Sequence, residues 1–327
     1  MIPVIKKIAS VIFLFCIFSV LLTAAKNEAI NGLFLKNTYV VLPSSSKIVF
    51  SWLSMPLDPE KVKPVMETGM KMHVDDKSRL WVVNDGGLVN TLLGLTVRPD
   101  YAIVDAVFLD NGALFLTTEK YLGSMIMPGK KEFKSLDGSV AVRFQPLAGL
   151  PAAGCRVFKG SSDVVYLCGQ NAATGEYEVY TFGGSESLKM LDVDGMKQKA
   201  AAIYFNKVYS SKKPVTCAAG NGKTTYIASG RLVIEVKKGN EKAAGFFTHP
   251  SRDITSLAYS EEAGLFYTTD TGIGYAARGI AYEFMKTPNS RIQIGKRGLY
   301  IFLLENYGVL MAGNVDEFKN GNGEKNK

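Results

Sequence analysis

A bulky ring side chain recurs in the middle of a short apolar run six times along this chain, at Trp81, Phe115, Tyr166, Tyr226, Phe266 and Tyr300. The steps between them are 34, 51, 60, 40 and 34 residues. The runs are Arg79-Leu80-Trp81-Val82-Val83, Ala113-Leu114-Phe115-Leu116, Val164-Val165-Tyr166-Leu167, Thr224-Thr225-Tyr226-Ile227, Gly264-Leu265-Phe266-Tyr267 and Gly298-Leu299-Tyr300-Ile301. Each is short, rich in aromatic and aliphatic residues, and bounded by Gly, Asn, Asp or Ser. That is strand and turn chemistry, and helical periodicity is weak after residue 73.

A polar turn stands before most of the runs: Asp75-Asp76-Lys77, Asp110-Asn111-Gly112, Gly160-Ser161-Ser162, Gly220-Asn221-Gly222 and Glu261-Glu262-Ala263. Another apolar segment precedes the turn, as at 104–109 and 254–259. Six such units average near the ~40–50 residues of a propeller blade. A four-stranded antiparallel sheet alone exposes two faces and two edges. Stacking sheets face to face around an axis covers the faces and protects most of the edges. The sequence therefore predicts an all-β chain, a β-propeller of about six four-stranded blades. The six ring side chains are expected in the core between blades. The last unit lacks an outer strand. Upstream, Tyr39-Val40-Val41-Leu42 and Lys47-Ile48-Val49-Phe50-Ser51-Trp52 belong to no unit, so an N-terminal strand is expected to join the last blade and close the ring. The expected organisation is a signal or anchor over 1–25, N-terminal strands and linker over 26–72, repeats over 73–313 and a polar disordered tail over 314–327.

The best unit, Asp75-Asp76-Lys77-Ser78-Arg79-Leu80-Trp81-Val82-Val83-Asn84-Asp85-Gly86-Gly87-Leu88, resembles the periplasmic propeller repeats of two-component-regulator sensors. Their pattern is an acidic turn, a Leu-Trp pair and then Gly-Gly-Leu or Gly-Ile. Residues 261–273 match next, and the other four units carry Phe or Tyr in place of Trp. No kinase, coiled coil or second span follows residue 313, so the resemblance implies the fold and not the function.

Lys6 and Lys7 precede an apolar run from Ile8 to Ala25 that ends Thr23-Ala24-Ala25, and no acid occurs before Glu28. This is the layout of an export signal, or of a membrane anchor through 8–25. Either places the protein outside the cytoplasm, periplasmic or secreted. Loss of 1–25 would remove two lysines and lower the formal charge from +8 to +6. The remaining basic excess is spread thinly and forms no stripe for nucleic acid. Export permits disulfides. A hairpin about residues 160–163 would set Cys155 opposite Cys168, giving a candidate bridge and leaving Cys217 as a buried filler.

Motifs that suggest chemistry dissolve in context. Residues 217–224 nearly spell a phosphate loop, but a strand follows, and Asn221-Gly222 is a hairpin turn. Gly272-Ile273-Gly274 lacks the helix of a dinucleotide site. Asp192-Val193-Asp194-Gly195 lacks the downstream Glu of a calcium loop. His73 and His249 have no metal-spaced partner, so structural roles are expected. No metal, cofactor or catalytic constellation is expected. The loops joining the second and third strands carry Asp85, Glu119, Asp270 and Glu305, with Tyr121 and Tyr307 beside two of them. They suggest an acidic mouth for a cation, an amine or a basic patch of a partner. The expected function is an exported, non-enzymatic binding or scaffold module taking a protein partner or small ligand at the propeller face. The alternative is an envelope hydrolase or lyase using those carboxylates, which would need two of them at a defined separation.

Overall fold

Residues with strand chemistry pair as strands, and the Gly- and Asn-bearing segments between them reverse the chain. The structure, a computed structural model, describes residues 39–41, 47–54, 71–76, 79–84, 87–90, 95–97, 101–110, 112–118, 121–126, 145–161, 163–184, 204–261, 264–277, 280–295, 298–303 and 308–312. It divides into two units, Met1–Val41 and Leu42–Lys327. Of the first, only strand β1 (Tyr39–Val41) is described. The expected signal or anchor at 1–25 and the tail at 314–327 lie outside the described residues, as does Asp192-Val193-Asp194-Gly195. Among the described residues, no helix is long and apolar enough to cross a membrane.

In the second unit, β2 (Lys47–Ser54) comes first. There follow β3 (Lys71–Val74), β4 (Leu80–Asn84), β5 (Gly87–Asn90) and β6 (Leu95–Val97), paired in that order as one antiparallel sheet. The next sheet is β7 (Ile103–Leu109), β8 (Gly112–Thr117), β9 (Tyr121–Ile126) and β10 (Gln145–Gly149). The third is β11 (Ala153–Lys159), β12 (Val164–Gln170), β13 (Tyr177–Gly183) and β14 (Asn206–Ser211). The fourth is β15 (Cys217–Gly220), β16 (Thr224–Ser229), β17 (Leu232–Lys237) and β18 (Asn240–Thr248). The fifth is β19 (Ser256–Ser260), β20 (Gly264–Thr268), β21 (Gly272–Ala277) and β22 (Ile280–Lys286). The last begins with β23 (Arg291–Gly295), β24 (Gly298–Leu303) and β25 (Gly308–Ala312). Strand β2 then pairs antiparallel with β25, with Trp52 opposite Leu310, in the place that a fourth strand takes elsewhere.

The six ring residues sit one to each second strand, and none is more than 8% exposed. Second strands are covered on both faces: β8 is buried throughout, whereas outer strand β14 is exposed or half-buried. The ring residues also reach the neighbouring sheet. Trp81 stacks on Phe108 of β7 with centroids 5.4 Å apart, and Tyr226 lies 5.2 Å from Tyr259 of β19. The Tyr166 hydroxyl accepts the Gly222 N–H at 3.1 Å. The acidic turn before Trp81 has a structural role, because buried Asp75 accepts from the Trp81 indole at 2.9 Å and from the Arg79 guanidinium at 2.6 Å.

The first strands β3, β7, β11, β19 and β23 together line one cavity, so they face a common axis. This is the arrangement of a β-propeller. The β11–β12 hairpin forms as expected, but the Cys155–Cys168 bridge does not. The register slips between Ala153 and Arg156, so Arg156 stands opposite Cys168. Cys155 is displaced into the irregularity, where its thiol donates to the Ala152 carbonyl at 2.7 Å. Cys155, Cys168 and Cys217 are all free.

Candidate binding site in the axial channel

Cross-strand register sets the height of each first-strand residue in the channel. Take as one level the partner of the residue two places after the ring residue. In the third sheet Arg156 pairs with Cys168, and in the last Arg291 pairs with Phe302. In the fourth and fifth, Cys217 pairs with Ala228 and Ser256 with Thr268. By the same rule Lys71 pairs with Val83 in the first sheet and Ile103 with Thr117 in the second, so two arginines occupy one register level with Lys71, Ile103, Cys217 and Ser256. Both line a cavity of about 90 Å³, with His73, Asp105, Lys159, Ser256 and Gln293 among its other walls.

Arg156 is held in place. Its Nη1 donates to the Thr216 carbonyl at 3.2 Å, and its guanidinium lies 5.1 Å from the Phe158 ring centroid. Burial pushes the Arg291 guanidinium below its ordinary value, the Arg156 charge pushes it further, and Asp105 and Cys217 oppose both. Asp105 is buried. It accepts from the Val157 N–H of the neighbouring sheet at 3.0 Å and from its neighbour Ala106 N–H at 3.1 Å, and His73 Nε2 lies 4.0 Å away. Lys159 stands nearer the turn joining first and second strands. Burial lowers its pKa, and Asp110, Asp76 and Asp75 pull it back up.

Of the residues expected at the acidic mouth, only Asp270 and Tyr121 are described. Asp85, Glu119, Glu305 and Tyr307 lie outside the described residues. Asp270 is half exposed and pairs with Arg252 Nη1 at 3.0 Å, so its charge is compensated. Tyr121 is 38% exposed and packs on Tyr101 at 5.6 Å. His249 has the expected structural role: its Nδ1 accepts the Arg252 N–H at 3.0 Å and its Nε2 lies 3.6 Å from Glu283. Asn221 Oδ1 accepts the Thr224 N–H at 2.9 Å, which makes the expected hairpin turn. A second hollow, of about 400 Å³, lies between the third and fourth sheets beside Lys207, Lys237 and Lys238. Lys207 there pairs with Glu178 and Lys237 with Glu235.

Among the described residues, no group of three His, Cys, Asp or Glu side chains is placed to hold a metal. The arginines were missed in the sequence, although each had a signal: a charge next to the apolar residues of a first strand, as in Cys155-Arg156-Val157-Phe158 and Arg291-Ile292-Gln293-Ile294.

No family model and no curated protein matches the sequence. Solved structures do match. A gluconolactonase of Xanthomonas campestris superimposes with TM-score 0.50 at 8% identity, covering 84% of this chain and 94% of that one. A luciferin-regenerating enzyme gives TM-score 0.49 at 11% identity, covering 74% of this chain and 90% of that one. The extracellular domain of a two-component system of B. thetaiotaomicron gives 0.44 at 11%, covering 74% of this chain and 32% of that one. What is common is the fold. At such identities it says nothing of activity.

Proposed function

We propose that this chain is an exported propeller that binds rather than transforms its ligand, with the axial cavity as the binding site. The six sheets close into a ring in which β2 is the outer strand of the last blade, and the segment before it carries the export signal or anchors the ring to the membrane. The observation that carries this reading is the convergence of charged and polar side chains from five first strands on one cavity. Each strand is fixed by its own sheet, so the cavity is preorganised and binding does not have to order it. Loops at the channel mouth, including the one bearing Asp270, offer a surface to a partner in the cell envelope.

The test is a cavity-filling variant. Ala258 is buried and lines the cavity, and Ala258→Phe is expected to abolish the stabilisation that a ligand from an envelope-metabolite panel gives in thermal unfolding. Turnover of that ligand by the wild type would support the hydrolase or lyase reading instead. N-terminal sequencing of protein from membrane and periplasmic fractions tests export: a mature chain starting near residue 26 is expected, and a cytoplasmic chain with Met1 intact would overturn it.

A further inference from the structure

Ring geometry gives the two channel arginines a relation that the sequence hides. With six blades, the third and the sixth stand opposite one another across the axis. Arg156 is on the first strand of the third sheet and Arg291 on the first strand of the last, at the same register level. Both line the same cavity, and the Arg156 charge acts on Arg291. Among the described residues neither pairs with a carboxylate. The one acid in the cavity wall, Asp105, is already engaged by two backbone N–H groups and has His73 beside it. Lys159 answers to Asp110, Asp76 and Asp75 at the other end.

Two guanidiniums lining one cavity repel, and holding them there part-buried is unfavourable unless an anion sits between them. Each presents a planar fork of N–H donors that suits an oxyanion. Among the described residues, one hydrogen bond, to the Thr216 carbonyl, occupies a donor of Arg156. We propose that Arg156 and Arg291 form a clamp for one small oxyanion group, a carboxylate or a phosphate, bridged across the channel axis. The proposal rests on the reading of the cavity as the binding site and names the ligand class for it. Size agrees: the cavity of about 90 Å³ is well below the roughly 300–1,000 Å³ that encloses a whole small ligand. It therefore admits an anionic head group and leaves any remainder in the mouth. Ser256, at the same level as the arginines, adds a hydroxyl to the wall.

The experiment is thermal unfolding and calorimetric titration of the full chain with inorganic phosphate and with succinate, at matched ionic strength in sodium chloride. The two probes separate phosphate from carboxylate. At least one is expected to stabilise the wild type, and Arg156→Gln or Arg291→Gln should weaken its binding at least about tenfold, as the loss of a charged hydrogen-bond pair implies. Arg291→Lys keeps the charge but loses the fork and should fall between. Without added oxyanion, Arg291→Gln should melt higher than the wild type, because a repulsion is gone, and phosphate should erase that advantage. Lys238→Gln, outside the cavity, should change nothing. Equal stabilisation of wild type and both glutamine variants, or no stabilisation of the wild type by either probe, would overturn the clamp. If Ala258→Phe blocks a ligand that the glutamine variants still bind, the cavity reading survives and the clamp fails. If the glutamine variants lose phosphate while Ala258→Phe leaves the panel ligand bound, the clamp survives and the cavity reading fails.

Discussion

The side-chain amide of Gln293 holds both main-chain groups of Val74, donating from Nε2 to the carbonyl at 3.0 Å and accepting the N–H at Oε1 at 3.1 Å. Val74 ends β3 and Gln293 lies mid-way along β23, so the bond pair joins the first of the repeats to the last. It does for two adjacent first strands what a ladder does within a sheet. Gln293→Ala would leave both Val74 groups unsatisfied. A loss of about 1–3 kcal/mol in urea unfolding is expected. Gln293→Glu keeps the acceptor but offers no donor to the Val74 carbonyl, so it should recover only part of the stability.

Gly274 is required by its neighbour. A Cβ placed there runs into the ring of Tyr267, which is only 1% exposed and cannot swing aside. Gly274→Ala should cost about 1–3 kcal/mol through overpacking. The double variant with Tyr267→Leu should be less destabilised than the sum of the two changes, as contacting residues couple.

Alkali should unfold the protein earlier than surface tyrosines would allow. Burial pushes Tyr226 and Tyr267 up to about 12 from an ordinary 10, with Glu235 adding at Tyr226 and Glu283 at Tyr267. Burial likewise raises Cys217 to about 12 from 9. Below pH about 9 folded and unfolded chains both keep these protons, and the stability is complete. Between about 9 and 12 only the unfolded chain loses them, so stability falls as pH rises through that window. Melting temperatures at pH 7, 9, 10 and 11 should show the fall beginning above 9, and Tyr267→Phe should make it shallower.

The free thiols should be sluggish. Burial pushes Cys155 up to about 11, despite the opposing hydrogen bond to Ala152, and drives Cys168 well above its ordinary value. At pH 8 the thiolate fraction is small, and a disulfide-exchange reagent should label the native protein far more slowly than the denatured one. Denatured without reductant, a chain lacking residues 1–25 should yield three thiols. A single thiol would mean that Cys155 and Cys168 pair after all.

Much of the fold was legible because five of the six sheets are local in sequence. Trp81, Phe115, Tyr166, Tyr226, Phe266 and Tyr300 mark six second strands, and their burial follows from their place between two other strands and a neighbouring sheet. The Cys155 position was not legible. A strand pattern has period two, and the irregularity between Ala153 and Arg156 shifts it by a residue without any change in composition. Arg156 and Arg291 were missed for another reason: their relation runs across the axis, and sequence spacing carries no information about which sheets stand opposite. Acidic residues drew attention instead. Of these, Asp270 turned out to pair with Arg252, and Asp75 to serve the Trp81 indole.

The pairing of β2 with β25 sets an order of assembly. Strand β2 precedes the other sheets in the chain and β25 follows them, so the last sheet cannot be complete until β25 has been made. The contact of β2 with β25 waits while the other sheets become available. Forming this long-range pairing is therefore the step of folding that depends on the whole span from β2 to β25.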